Sequence, residues 1–272
     1  MLVAGIDSGS GFTKAVLLSD QDGTPLVVAR GRAPSGIRME AAATEALQRA
    51  LAEARLARAD VEYVVATGFG RYSIGFRDIQ VTEITSAARG AWFLWPGTEC
   101  VLDIGSQSTR AIGLRQGGRV RAFKINDKCA AGSGMFIARA AKYLDTPLEQ
   151  VGALSLAAEN PQPISSICAV LAESEIINHV SAGVSVEDIF RGIHESLAER
   201  ATAMLKRVGI ETQLTFIGGV ARQGGIMEAL RQRLGVTVHV PDDCDTVCAL
   251  GAALLGLGRR KLKGQGAGTG VA

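Results

Sequence analysis

Apolar and polar positions in this chain follow two periods, and each change of period marks an element. Short apolar runs come first. Leu2–Ile6 predicts a buried strand and Thr13–Leu18 its hairpin partner, with Gly9 and Gly11 in the turn between them. Asp22-Gly23 signals a second turn, and Leu26–Ala29 predicts a third strand. The period then becomes helical over Glu40–Leu56, where Leu47, Ala50, Leu51 and Ala54 share a face. Val61–Ala66 predicts a short strand ending at Thr67-Gly68, and Thr85–Trp95 a helix that stops before Pro96. Further on, helices are predicted over Phe136–Leu144, Pro147–Ala158, Ala169–Val180, Val186–Val208, Ile226–Leu234 and Val247–Leu257. Leu214–Ile217 and Thr237–Val240 predict strands, and Ser185 with Asp188 predicts a capping box for the long helix. The basic Arg259–Lys263 and the Gly-rich Gly264–Ala272 predict a disordered tail over 259–272.

The opening pattern returns in mid-chain. Asp7–Leu18 reads DSGSGFTKAVLL and Asp103–Leu114 reads DIGSQSTRAIGL, so both fit D-x-G-S-x-x-T-[KR]-A-[VI]-x-L. Lys14 falls at the same step as Arg110. With two copies this is a duplicated domain and not a solenoid. Each copy is a strand, a Gly-rich turn and a second strand, with an Asp at the end of the first. Small residues let backbone N–H groups reach phosphate oxygens. A carboxylate at a strand end can hold Mg²⁺ through water. One such hairpin alone would read as a tight turn with structural glycines; its repetition favours a grip on a nucleotide's phosphates.

A third stretch, Lys124–Phe136 (KINDKCAAGSGMF), leaves a strand, passes Cys129 and reaches Gly132-Ser133-Gly134 before a helix begins. Helix N-termini present free N–H groups and positive partial charge, which suits a phosphate or the charge of a thiolate-bound cluster. Cys168 also precedes a helix. Iron–sulfur clusters usually need four thiolates, so two cysteines per chain would require two chains to share one. On spacing alone, two buried thiols at helix starts is the commoner arrangement. Cys244 and Cys248 lack the second pair or histidine that a zinc site needs.

Composition adds exclusions. The 272 residues are 47% apolar and 21% charged with a net charge of +2, which makes no electrostatic case for nucleic acid or a membrane surface. No apolar run approaches the ~20 residues of a membrane span. Met1–Asp7 reaches an acidic residue too early for a signal peptide, so a cytoplasmic location with reduced thiols is expected.

Both hairpins, a strand followed by Gly218-Gly219 and the final small-residue helix together resemble the actin, sugar kinase and heat-shock chaperone ATPase superfamily. The resemblance implies an α/β fold of duplicated, ribonuclease H-like domains with a nucleotide cleft between them. Residues 1–96 would form the first lobe, completed by the helix at 247–258, and 97–258 the second. The segments NDKCAAGSGMF and SSICAVLAESEIINHVSAG narrow the likeness. They are similar to the signatures of 2-hydroxyacyl-CoA dehydratase activators and of the ATP-binding subunits of benzoyl-CoA reductase. The run after Cys168 lies closer to the reductase subunits.

That resemblance implies ATP or ADP with Mg²⁺. Asp7 and Asp103 would organise the ion and the hydrolytic water. Gly9, Ser10, Gly11, Phe12, Lys14, Gly105 and Ser106 would meet the phosphates, and Gly132, Ser133 and Gly134 would also touch the nucleotide. Gly218, Gly219 and Val220 would border the adenosine. Gln107 and Glu173 are the candidates for orienting the water. Cys129 and Cys168 would hold one 4Fe–4S cluster jointly with an identical or paralogous subunit. The implied partners are a ferredoxin-type electron donor and a CoA-thioester reductase or dehydratase component. The implied activity is ATP-driven delivery of a low-potential electron, to a benzoyl-CoA reductase first, a dehydratase second, with a cluster-free small-molecule kinase as a distant alternative.

Overall fold

The computed structural model describes residues 1–127, 133–165 and 169–266. They divide into two compact units. The first takes Met1–Pro96, Gly117–Arg119 and the segment from Asp245; the second takes Gly97–Gln116 and Val120–Cys244.

In the first unit, β1 (Leu2–Ser8), β2 (Phe12–Gln21), β3 (Thr24–Pro34), β4 (Tyr63–Thr67) and β5 (Ile79–Gln80) form a sheet of order β3-β2-β1-β4-β5. The β1, β2 and β3 meander is antiparallel, whereas β4 runs parallel to β1 and β5 parallel to β4. Side chains alternate across the pleat, so each strand feeds two cores. Ala4, Ile6, Ala15 and Leu17 pack against Ala43, Ala46, Leu47 and Ala50 of α1 (Met39–Ala54). On the other face Val3, Val16, Leu18 and Val65 pack against Ala249, Leu250, Ala253 and Leu254 of the C-terminal helix, Val247–Gly266. That helix comes so close to β1 that a Cβ on Gly5 would overlap Ala249 O and lie 2.6 Å from Ala253 N. This is why Ala249 and Ala253 stand opposite Gly5: larger residues there would lift the helix off the sheet. The remaining helix of this unit is α2 (Glu83–Leu94).

The second unit repeats the sheet. Here β6 (Cys100–Ile104), β7 (Thr109–Arg115), β8 (Arg119–Asn126), β9 (Gln213–Ile217) and β10 (Thr237–His239) lie in the order β10-β9-β6-β7-β8, which is the first order read in reverse. β6 pairs antiparallel with β7 and parallel with β9. Between β8 and β9 come α3 (Gly134–Tyr143), α4 (Val151–Leu156), α5 (Ala169–Ser181) and α6 (Val186–Val208). α7 (Gly224–Leu234) joins β9 to β10, and the C-terminal helix is α8. Phe136, Ile137, Phe190, Ile193, Phe216 and Leu230 centre this unit's core.

Several expected bounds shift. β3 runs through Thr24–Pro34, well beyond the apolar Leu26–Ala29, because its pairing with β2 continues across a bulge at Leu17/Leu18. α4 is limited to Val151–Leu156. α8 continues to Gly266, so residues 259–266, expected in a disordered tail, are helical; residues 267–272 lie outside the described residues. The capping box at α6 is half made. Ser185 Oγ accepts the Asp188 N–H at 3.2 Å, but the Asp188 carboxylate accepts from Glu159 N and Asn160 N, at 3.0 and 2.7 Å. Among the described residues no helix is long and apolar enough to cross a membrane.

Candidate functional site

Asp7 and Asp103 occupy the same place in the two units, one residue before the ends of β1 and β6. Opposite residues of an antiparallel pair project from the same face, and here each carboxylate meets a cation. Asp7 is registered with Lys14 and Asp103 with Arg110. Lys14 Nζ donates to Asp7 Oδ2 at 2.8 Å, and Arg110 Nη1 donates to Asp103 Oδ2 at 2.8 Å. Both carboxylates are buried, Asp7 being 8% and Asp103 4% exposed. Hydrogen-bonded geometry of this kind is what offsets the desolvation of a buried ion pair.

The turns above them are built from small residues. In the first, Lys14 Nζ also donates to Phe12 O at 3.2 Å. Ser35 at the end of β3 braces the turn: its N–H donates to Gly11 O at 3.1 Å and its hydroxyl to Gly9 O. Ser10 and Gly11 are half-buried, and Phe12 is exposed with the Arg32 guanidinium 3.7 Å above its ring. In the second turn Gly105 N donates to Ser108 O at 2.9 Å, leaving Ser106 half-buried and Gln107 exposed.

A third element repeats that the sequence showed in only one copy. The residue after β4 is Gly68, with φ +92°, and the residue after β9 is Gly218, with φ +89°. Each abuts the neighbouring carboxylate. A Cβ on Gly68 would stand 2.6 Å from Asp7 Oδ1, and one on Gly218 2.7 Å from Asp103 Oδ1. Glycine is required twice over, by the left-handed backbone and by the approach. A short 3₁₀ turn follows each, Arg71–Ser73 and Gly219–Arg222. Gly219 faces open space, and Val220 is buried.

The start of α3 joins the second turn. Gly134 N donates to Gly105 O at 2.9 Å and Met135 N to Ser106 O at 2.8 Å. A Cβ on Gly134 would lie 2.9 Å from Val220 Cγ2 and 3.1 Å from Gly105 O. Ser133 occupies the N-cap position, with no capping hydrogen bond from its side chain, and is buried. Two of the N–H groups that a helix start leaves over therefore go to the turn's carbonyls. The second hairpin, the α3 start and Val220 thus form one connected patch.

Gly132, Cys129 and Cys168 lie outside the described residues. The helices that follow the two cysteines are nevertheless bonded to each other. Arg139 Nε of α3 is 3.3 Å from Glu173 Oε1 of α5, and Tyr143 Oη donates to Glu173 Oε2 at 3.4 Å. Among the described residues these contacts of Glu173 join two helices. The other cysteines, Cys100, Cys244 and Cys248, are buried free thiols. Burial pushes the Cys100 thiol up to about 11, which keeps it protonated at neutral pH. Among the described residues no group of three or more His, Cys, Asp or Glu is placed to hold a metal ion.

Two sheets of one topology, each with a carboxylate beneath a Gly-rich hairpin, define an α/β protein with the actin-like ATPase and sugar kinase fold. The chain belongs to the BadF/BadG/BcrA/BcrD ATPase family, whose family model matches residues 4–256. It is 40% identical over 258 residues to the activator of lactoyl-CoA dehydratase of Anaerotignum propionicum, covering 93% of this chain and 96% of that one. It is 38% identical over 272 residues to a subunit of the benzoyl-CoA reductase of Thauera aromatica, covering 96% and 94%. The solved activator of the 2-hydroxyisocaproyl-CoA dehydratase from Clostridium difficile, with bound ADPNP, superposes with a TM-score of 0.91 at 35% identity over 100% of both chains.

Proposed function

We propose that this chain is the ATP-hydrolysing iron–sulfur subunit of a system that delivers a low-potential electron to a partner acting on a CoA thioester. The observation that carries the ATPase half is the matched pair of buried carboxylates, Asp7 and Asp103, each under a hairpin turn of small residues. Such a carboxylate suits Mg²⁺ held through water. Asp7 and Asp103 would organise the ion, the backbone of Gly9–Phe12 and Gly105–Ser106 would meet the phosphates, and Gly218, Gly219 and Val220 would border the adenosine. Bound Mg²⁺ would offset phosphate charge. Gln107 in the exposed turn, or Glu173, which braces α3 against α5, would orient the water.

Cys129 and Cys168 would hold half of a 4Fe–4S cluster, which supplies a one-electron store. The other half would come from a second identical or paralogous subunit. Exposed Val170, Leu171, Ile177 and Val180 on α5, just after Cys168, suit such a neighbour. A ferredoxin-type donor would supply the electron. The start of α3 would carry the change at the nucleotide to the cysteines.

Two partners fit this chemistry. The run after Cys168 favours a benzoyl-CoA reductase, and the 40% identity to a lactoyl-CoA dehydratase activator favours a 2-hydroxyacyl-CoA dehydratase. The test is strictly anaerobic purification, followed by iron and sulfide analysis and ATP-dependent electron transfer to each catalytic component. Transfer to one component alone selects that partner. Wild-type protein that hydrolyses ATP but holds no iron sinks the redox half. Loss of iron and sulfide in Cys168→Ser, with nucleotide binding kept, is the expected companion result.

A further inference from the structure

We propose that Lys14 and Arg110 are built-in counter-ions that keep free divalent cations off Asp7 and Asp103, so that the metal enters only together with nucleotide. The inference rests on the ATPase reading above and adds a regulation of that same site.

Each cation stands directly across the hairpin from its carboxylate, at the same register step in both units. Each is 2.8 Å from Oδ2. On the other side of each carboxylate, Oδ1 faces a glycine that leaves no room for a side chain. Side-chain exposure is 14% for Lys14 and 15% for Arg110, so both charges sit largely out of water, where they are screened little. A lone divalent cation would meet a carboxylate whose charge is already offset, with a fixed positive charge beside it. A metal–polyphosphate changes that balance, because its phosphates give Lys14 and Arg110 another anion to meet.

The two counter-ions differ in kind. Lysine is a point charge on a flexible stem, whereas a guanidinium is a planar fork suited to holding a carboxylate and a phosphate together. Lys14 should therefore release Asp7 more readily than Arg110 releases Asp103. Arg110 is in this sense a positioning residue, acting on the ion through Asp103.

The experiment measures Mn²⁺ binding by electron paramagnetic resonance, without nucleotide and with ADP. Wild type should bind Mn²⁺ weakly alone and tightly with ADP. Arg110→Met should bind Mn²⁺ alone at least about tenfold more tightly than wild type. Arg110→Lys, which keeps the positive charge, should bind Mn²⁺ alone far more weakly than Arg110→Met does. The added Asp103→Asn change should abolish the gain seen in Arg110→Met. Lys14→Met offers the same comparison in the other unit if Arg110→Met fails to fold. Unchanged affinity for Mn²⁺ alone in a folded variant overturns the proposal. So does wild type that binds Mn²⁺ equally with and without ADP. Wild type that binds no ADP at all overturns instead the ATPase reading beneath it.

Discussion

Gly134 donates its backbone N–H to the carbonyl of Gly105 at 2.9 Å, tying the first residue of α3 to the turn of the second hairpin. The cysteine at 129 lies a few residues before that helix in sequence. Movement at the turn therefore has one hydrogen bond to cross before it reaches the chain leading to the cysteine.

Gly134→Val is expected to break this link. Its Cβ would meet Val220 Cγ2 at 2.9 Å and Gly105 O at 3.1 Å, and its branches would crowd both further. Iron content should survive. Chelator-driven bleaching, which in wild type should differ between ADP, ATP and no nucleotide by about fivefold or more, should become independent of nucleotide. Equal bleaching of wild type in all three states would remove α3 as the coupling element.

Asp7→Asn and Asp103→Asn should each lower ATP hydrolysis by about a hundredfold or more while the far-ultraviolet spectrum stays native. The amide keeps the shape and a hydrogen-bond acceptor but loses the charge that helps hold the ion. Rates near wild type in both variants would withdraw the assignment of the two hairpins.

Gly68→Ala and Gly218→Ala should each destabilise their unit by roughly 1–3 kcal/mol, since a left-handed backbone and a collision with a buried carboxylate add together. Gly183→Ala is the control. It shares positive φ, at +78°, but has nothing within 4 Å of the added Cβ. It should lose about 1–2 kcal/mol from conformation alone, without the collision that adds to the loss at the two site glycines. Urea midpoints would rank the three, and a Gly183→Ala loss larger than both others would contradict this account.

His194 gives a pH dependence. It is buried in α6 with Nδ1 2.8 Å from Ser155 Oγ. Burial first, and the Arg191 charge second, lower its pKa from 6.5 to about 3. Below pH 6.5 the unfolded chain takes up a proton that the folded chain refuses, so this contribution is fully present above 6.5 and is lost as pH falls toward 3. Within that window it should change stability by roughly 1.4 kcal/mol per pH unit. His194→Gln should flatten the slope of unfolding free energy between about pH 4 and about pH 6 relative to wild type. Parallel slopes would show that His194 takes up its proton without unfolding.

The sequence made the duplication visible because both hairpins need the same small and charged residues at the same steps. It did not show the role of Gly68. Thr67-Gly68-Phe69 and Ile217-Gly218-Gly219 share one residue type, and only the common left-handed backbone beside a carboxylate reveals them as equivalent. Arg110 was visible as the partner of Lys14 in the repeat, but its bond to Asp103 depends on strand register. The full extent of β3 was hidden because its outer residues, among them Arg30, Arg32 and Pro34, do not form an apolar run. Glu173 looked like a candidate for chemistry by its place after Cys168, and the spatial neighbours Arg139 and Tyr143 are what give it a bracing contact.

The bare contact between β1 and α8 has a consequence for synthesis on the ribosome. Val3, Val16, Leu18 and Val65 are covered by a helix that follows the whole second unit in the chain. While that unit is being translated, one face of the first sheet emerges with nothing to cover it. The second unit holds all five strands of its own sheet and can finish first. The N-terminal part of this protein would then be the last to mature, and a ribosome stalled before α8 would display an apolar sheet face to the cell's chaperones.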